Sequence, residues 1–156
     1  MTLTNNGGGA VYAASTSATF NEANLKPGST ATKCITVKSV GTTAGALKFY
    51  ESSLADSAPS LGAQIQVTID AAPVAADVLV GCGGFPVAGL TNVATGVALT
   101  ALPASYAAAV PSVAVPVGTQ LVAYRIAYTF ATTGTNAGDN LLQGKTVTAG
   151  FTWELQ

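Results

Sequence analysis

The fold is indicated most clearly by residues 64–70, which read Gln64-Ile65-Gln66-Val67-Thr68-Ile69-Asp70. Apolar and polar residues alternate strictly, so Ile65, Val67 and Ile69 share one face of an extended chain and the polar residues share the other. This period of two is typical of a half-buried β-strand and differs from the 3.6-residue period of an amphipathic helix. The stretch therefore predicts a strand with one face in a core.

The same alternation recurs along the chain, whereas helical periodicity is almost absent. Further strands are predicted at residues 33–38, 46–51, 121–130 and 146–154. The first of these strands turns Ile35 and Val37 inward, and the second turns Leu47 and Phe49 inward. The inward-facing residues of the third are Tyr124, Ile126, Tyr128 and Phe130, and those of the fourth are Val147, Ala149, Phe151 and Trp153. Clusters of Gly, Pro, Asn, Thr and Ser separate these segments and predict turns. Residues 7–9 and 71–77 are predicted as loops.

One short helix is predicted over residues 101–110, because Leu102, Tyr106 and Val110 have helical spacing and Pro111 would end the helix. A chain of 156 residues is one ordinary domain. The predicted fold is therefore all-β: a single jelly-roll-like antiparallel β-sandwich over residues 1–156, with at most one short helix.

The chain carries few charges, and this bounds its partners. Charged residues make up 8% of the sequence, with six basic and seven acidic side chains. Nucleic acid is not an expected partner, because binding phosphates requires clustered Lys and Arg. The apolar stretch 106–117 is interrupted by Pro111 and Pro116, so no segment approaches the roughly 20 residues of a membrane-spanning helix. Low net charge also reduces the repulsion between copies of the chain.

The two cysteines, Cys34 and Cys82, are interpreted as one disulfide formed in an oxidising compartment. Two free buried thiols are the alternative.

No catalytic or metal site is recognisable in the sequence, and we expect no enzyme activity and no cofactor. The chain contains no histidine, which excludes Ser-His-Asp and Cys-His arrangements and most zinc sites. Its seven acidic residues lack the spacing of a calcium loop. Two acids brought together from distant strands, as in a glycosidase, would leave no local signature and stay open as an alternative.

Two segments carry a resemblance to a known family. The first runs from Phe20 to Val37 and contains Pro27-Gly28, and the second runs from Asn140 to Glu154 and contains Gln143-Gly144. These segments resemble the TasA/camelysin family of exported fibre-forming proteins. In physical terms, Pro27 presets φ and Gly28 allows φ > 0, which predicts a type II turn before a strand. The Gln143-Gly144 pair is expected to do the same before the last strand.

The resemblance implies a secreted protein of the cell surface or extracellular matrix that assembles with other copies of itself. In such a family an N-terminal segment completes the sheet of a neighbour, which gives an open head-to-tail fibre. Leu3, Ala10, Val11 and Tyr12 are the residues predicted to form the assembly edge. Because residues 1–4 lack the features of a leader, we expect export to involve a leader that has been removed. The alternative function is an exported monomeric adhesion or carbohydrate-binding module.

Overall fold

The computed structural model describes residues 1–14, 22 and 24–156. Within them the chain forms strands β1 (Thr2–Asn5), β2 (Thr30–Gly41), β3 (Gly45–Asp56), β4 (Ile65–Val74), β5 (Thr91–Ala98), β6 (Val113–Val115), β7 (Gly118–Phe130) and β8 (Val147–Leu155). The described residues include one α-helix, α1 (Asn136–Leu141), and a 3-10 turn at Leu99–Ala101. The predicted all-β class with one short helix is confirmed.

The strands form two antiparallel sheets of unequal width. The five-stranded sheet has the order β1-β2-β7-β4-β5, and the three-stranded sheet has the order β6-β3-β8. The longest ladder joins β2 to β7, from Thr30 opposite Thr129 to Gly41 opposite Gly118. The jelly-roll-like winding of these strands, and their organisation as one domain, stay predictions.

The core lies between the two sheets and is centred on aromatic side chains. Phe49 on β3 lies 6.0 Å, between ring centroids, from Tyr124 on β7. Trp153 on β8 completes the cluster, with its ring 5.5 Å from Phe49 and 5.7 Å from Tyr124. Such aromatic pairs each contribute about 0.5–1.5 kcal/mol beyond the burial of their area. The predicted inward faces of β2, β3, β4, β7 and β8 all lie in or against this core.

The predicted helix at residues 101–110 is wrong. That segment holds turns instead, and its polar groups bind β3: the carbonyl of Pro103 accepts the amide of Glu51, and the carbonyl of Tyr106 accepts Lys48 Nζ. The tyrosine hydroxyl donates to the Ala46 carbonyl. Contacts with a neighbouring strand therefore replace the hydrogen bonds that a helix would make. The short helix lies at Asn136–Leu141, at the end of the turn that the sequence predicts at residues 134–136, and Thr135 caps it by accepting the Gly138 amide.

The predicted loop at residues 71–77 is also partly wrong, because β4 continues to Val74 and includes Pro73. Proline lacks the amide hydrogen that a central strand needs. Here β5 pairs with β4 only as far as Ala71, so β4 has a strand on one side alone at Pro73. Strands β1, β5 and β6 were not predicted, since they are short or lack apolar alternation.

A third layer covers part of the outer face of the five-stranded sheet. It consists of residues 75–90, which connect β4 to β5 and are called the strap below. Val78 of the strap is buried in a small cluster with Cys34 and Ala123. The predicted disulfide is present: Cys34 on β2 and Cys82 in the strap are bonded, with their Cα atoms 5.1 Å apart.

We expect the double substitution Cys34→Ala/Cys82→Ser to lower the free energy of unfolding. The sequence separation of 48 residues corresponds to about 4 kcal/mol in the chain-entropy model. Urea titration of both proteins measures the difference. A reducing agent should shift the wild-type midpoint toward that of the variant and leave the variant unchanged. An unshifted wild-type midpoint would show that the disulfide contributes nothing to stability.

Candidate functional site

Several of the described acidic side chains are held by hydrogen bonds or an ion pair. Asp56 accepts the amides of Leu61 and Gly62, and Asp70 forms an ion pair of 2.7 Å with Arg125. The hydrogen bond from the Thr133 amide, together with the hydroxyls of Thr133 and Thr132, lowers the pKa of Asp139. No group of three His, Cys, Asp or Glu side chains in the described part of the chain is placed to hold a metal ion. These acids order loops and strand pairs.

Glu51 differs from the other carboxylates, because it follows Leu47 and Phe49 on the buried face of β3. The residue is 8% exposed. Its backbone amide donates to the Pro103 carbonyl. Burial raises the pKa of the Glu51 carboxyl group. The ionised form of Glu51 is therefore less favourable in the folded state than in the unfolded chain.

Replacing Glu51 by Gln should stabilise the protein near pH 7. Because the folded pKa is raised, the stability that Glu51 contributes is fully present below its unfolded pKa of about 4.3 and declines as pH rises through the folded pKa. The advantage of Glu51→Gln should therefore disappear at about pH 4. Free energies of unfolding measured at both pH values test this.

Glu154→Gln is the matched control for that prediction. Hydrogen bonds from Tyr50 and Gln156 lower the pKa of Glu154. The stability that Glu154 contributes to the folded state is therefore present at high pH and is lost as pH falls. The control should therefore be less stable than wild type near pH 7. If the free energies of unfolding of the two variants depended on pH in the same way, the raised pKa of Glu51 would be contradicted.

The two segments that carry the family resemblance meet at one end of the sandwich. Leu25–Pro27 and the Asn140–Gln143 segment line a shallow groove of about 170 Å³ over Phe130. Gly28 has φ = 89°, and the Ser29 amide donates to the Lys26 carbonyl, so Pro27-Gly28 form the predicted turn. Phe20, Asn21 and Ala23 of the first segment lie outside the described residues.

These turns position strand ends. The amide of Gly28 donates to the Phe130 carbonyl over 2.8 Å, which prolongs the ladder between β2 and β7. Gly144 has φ = 70°, and the Lys145 amide donates to the Leu142 carbonyl just before β8. The structure thus gives both motifs a structural role at the start of a strand.

The N-terminal residues predicted to form an assembly edge lie beside β2. We call residues 1–14 the N-terminal segment. Its strand β1 is the edge of the five-stranded sheet, and the side chain of Leu3 packs against the core. Asn5 and Ala13 exchange two backbone hydrogen bonds of 2.9 Å, so the segment folds back on itself. Ala10 is exposed, and Val11 is 79% exposed.

Tyr12 ties the N-terminal segment to its surroundings. Its hydroxyl donates to Asp77 Oδ1 over 2.5 Å, and its ring lies 5.5 Å from Lys38 Nζ. Burial and the hydrogen bond to Asp77 raise the pKa of Tyr12. Of the four residues predicted at the assembly edge, Leu3 and Tyr12 are engaged, whereas Ala10 and Val11 face solvent.

Asn6 continues the pairing of β1 with β2 by means of its side chain. Its backbone amide donates to the Thr36 carbonyl, and its Oδ1 accepts the Thr36 amide over 2.8 Å. The side-chain oxygen thereby takes the place of a strand carbonyl. The amide Nδ2 donates to the Val78 carbonyl in the strap. Asn6 is buried, as are the groups that it binds on β2 and the strap.

The strap closes the next part of the β2 edge. The Val80 carbonyl accepts a hydrogen bond from the Cys34 amide, and the Val80 amide donates one to the Gly8 carbonyl. Gly8 has φ = +83°, and a Cβ atom built there would lie 2.8 Å from Val80 Cβ and 3.0 Å from the Cys34 carbonyl oxygen. Gly8 is therefore required by both its backbone conformation and the close approach of the strap.

We expect Gly8→Ala to destabilise the protein by roughly 1–3 kcal/mol through backbone strain, with a further cost from the contact with Val80. Gly81→Ala is the control, because Gly81 lies in the same strap and a Cβ there would meet nothing within 4 Å. Thermal unfolding of both variants measures the difference. A similar loss of thermal stability in Gly8→Ala and Gly81→Ala would show that the close packing at Gly8 is unimportant for stability.

The three-stranded sheet ends at β8, which has no strand partner on its second side among the described residues. Ala46 on β3 and Gln156, which follows β8, exchange two backbone hydrogen bonds. Along an antiparallel ladder only every second residue of a strand bonds to a given neighbour, and the residues between them direct their backbone groups to the opposite side. The backbone N–H and C=O groups of Phe151, Trp153 and Leu155 therefore point away from β3. The described part of the chain thus presents a row of backbone groups available to another strand.

The β8 edge lacks most of the features that usually prevent pairing, although its ladder with β3 has one register shift, between Glu51 and Ser53. Edge strands are commonly protected by Lys, Pro, a bulge or short length. β8 has nine residues, reads VTAGFTWEL and contains one charged residue, Glu154. By contrast, β1 and β6 have four and three residues, and β5 pairs with β4 through two register shifts.

Sequence reasoning missed the Asn6 network and the free β8 edge. A partial signal for the first exists, because Asn5-Asn6 precede three glycines, and Asn side chains bind nearby backbone groups in turns. No local signal identifies Thr36 or Val78 as partners, since they lie 30 and 72 residues from Asn6.

No model of a known protein family matches the chain, and a search of curated proteins gives no match. None of the helices in the described residues has the length and apolar character needed to cross a membrane.

Proposed function

We propose that this chain is a structural subunit of an extracellular fibre or matrix filament, assembled by β-strand addition between copies. The observation that carries the proposal is the nine-residue β8 edge, whose outward backbone groups have no partner in the described structure. An added strand would bind these groups through main-chain hydrogen bonds. The resemblance to the TasA/camelysin family leads to the same function.

The candidate donor is the N-terminal segment of a second copy. Its strand β1 has four residues, Thr2 to Asn5. The free groups of β8 span a similar length, from Phe151 to Leu155. A contact between β1 of one copy and β8 of the next joins different surfaces, so it repeats without closing and builds a filament. The low net charge of −1 offers little repulsion against this growth.

The proposal includes export to the cell surface or extracellular matrix, without a catalytic role or a cofactor. The Cys34–Cys82 disulfide supports this location, because disulfides persist mainly in oxidising compartments.

A second candidate function, glycan or surface adhesion, is favoured by one observation. The outer face of the three-stranded sheet carries Tyr50, whose hydroxyl donates to Glu154 Oε2 over 2.8 Å. Nearby, Lys48 Nζ lies 4.5 Å from the ring centroid of Tyr106. Tyrosine provides rigid contact area that is both apolar and polar. A glycan-binding screen of the monomer separates this function from assembly.

We expect Thr148→Lys/Thr152→Lys to suppress self-association. Both side chains lie on β8, and lysines on an edge strand oppose pairing with another strand. Thr129→Lys is the matched control, because Thr129 is exposed but lies on β7, which has partners on both sides. Light scattering and negative-stain electron microscopy over a concentration series compare these proteins with wild type, each with and without a dithiol reductant. The proposal requires wild type and the control to assemble and the β8 variant to remain monomeric.

Wild type that stays monomeric both with and without a dithiol reductant, or a β8 variant that assembles as well as the control, would contradict the proposal. Circular dichroism establishes that each variant is folded.

A further inference from the structure

We propose that the strap is a clamp that keeps the N-terminal segment on its own β2, and that a dithiol reductant releases the segment for pairing with a second copy. This inference rests on the proposed function and concerns its regulation.

The strap contacts the N-terminal segment at three points. The Val78 carbonyl accepts Asn6 Nδ2 over 3.4 Å, the Val80 amide donates to the Gly8 carbonyl over 2.8 Å, and Asp77 accepts the Tyr12 hydroxyl. These contacts are spread along Asn6 to Tyr12, the part of the segment that follows β1. The strap therefore holds the half of the segment that follows β1.

The same part of the strap is fastened to β2. The Val78 amide and carbonyl both bind the Thr36 hydroxyl, at 2.9 and 3.0 Å, and the Val80 carbonyl accepts the Cys34 amide. The covalent bond from Cys82 to Cys34 is in this patch. The strap thus bridges β2 and the N-terminal segment, and the disulfide fixes the bridge in place.

Without the strap, β1 has few attachments. The backbone N–H and C=O groups of Asn5 form hydrogen bonds with Ala13, on the side of β1 that faces away from β2. Because bonded and non-bonded pairs alternate, only Thr2 and Thr4 within β1 then exchange hydrogen bonds with β2, opposite Val40 and Lys38, and Asn6 adds its two bonds to Thr36. A ladder of this length is marginal by itself. The clamp therefore decides whether β1 stays on its own sheet.

The chemistry of release is thiol–disulfide exchange. Cys82 is partly exposed, whereas Cys34 is fully buried, so a dithiol attacks the sulfur of Cys82. The S–S bond breaks, Cys34 leaves as a thiolate and takes up a proton, and a mixed disulfide forms at Cys82. The second thiol of the reductant then closes its own disulfide and releases Cys82. Two electrons and two protons pass from the dithiol to the protein.

The first readout is amide hydrogen exchange with and without a dithiol. Exchange at Thr2 and Thr4 should accelerate on reduction, by about tenfold or more if the clamp contributes 1.4 kcal/mol to holding β1. Amides of the central strand β7 are the internal control and should stay protected. The variant Cys34→Ala/Cys82→Ser should exchange rapidly at Thr2 and Thr4 without reductant and should not respond to it.

The second readout is assembly, followed by light scattering. Reduction of wild type should increase the oligomer fraction, and the cysteine-free variant should assemble without reductant. Adding Leu3→Cys/Ser39→Cys to that variant joins facing residues of β1 and β2. This new disulfide should abolish assembly, and a dithiol should restore it.

The outcomes separate the clamp from the proposed function. Unchanged exchange at Thr2 and Thr4 on reduction overturns the clamp, even if the protein assembles. Faster exchange without assembly overturns both the link to assembly and the proposed function. Assembly that persists with β1 covalently joined to β2 overturns β1 as the released element.

Discussion

The backbone of β2 has to be paired on both sides, and much of the structure follows from how this is achieved. Its inner side meets β7 along the full length from Thr30 to Gly41. Its outer side is closed in succession by β1, by the side chain of Asn6 and by Val80 of the strap. A buried backbone group without a partner costs as much as a lost hydrogen bond, so each of these pieces has a defined place.

This arrangement makes three distant parts of the chain depend on each other. The N-terminal segment, β2 and the strap meet around Thr36, whose backbone binds Asn6 and whose hydroxyl binds Val78. The disulfide joins two of these parts covalently, and the buried Asn6 side chain contacts both. A closed polar network of this kind is specific, because a change in one member leaves another group buried and unpaired.

The two sheets differ in how completely they are closed. The wider sheet has an outer layer over one face and ends at β1 and β5, whereas the narrower sheet ends at β6 and at β8, the longest of these four edge strands. The core behind that edge is aromatic and includes two polar atoms, Tyr124 Oη and Trp153 Nε1, for which the described residues supply no hydrogen bond. Burial also raises the pKa of Tyr124. The aromatic core and the β8 edge therefore lie side by side.

The sequence by itself determined the all-β class, the inward faces of five strands and the turn at Pro27-Gly28, and it favoured a disulfide between Cys34 and Cys82 over two free thiols. These features follow from local patterns or from composition: alternation with a period of two, residues that allow special values of φ, and the presence of only two cysteines. The tertiary structure alone decided that residues 101–110 lie against β3 without forming a helix, and that Asn6 acts as part of a strand. It also decided which strands lie at the edges of the two sheets. Each of these outcomes depends on hydrogen-bond partners far away in the chain, and a local pattern carries no information about such partners.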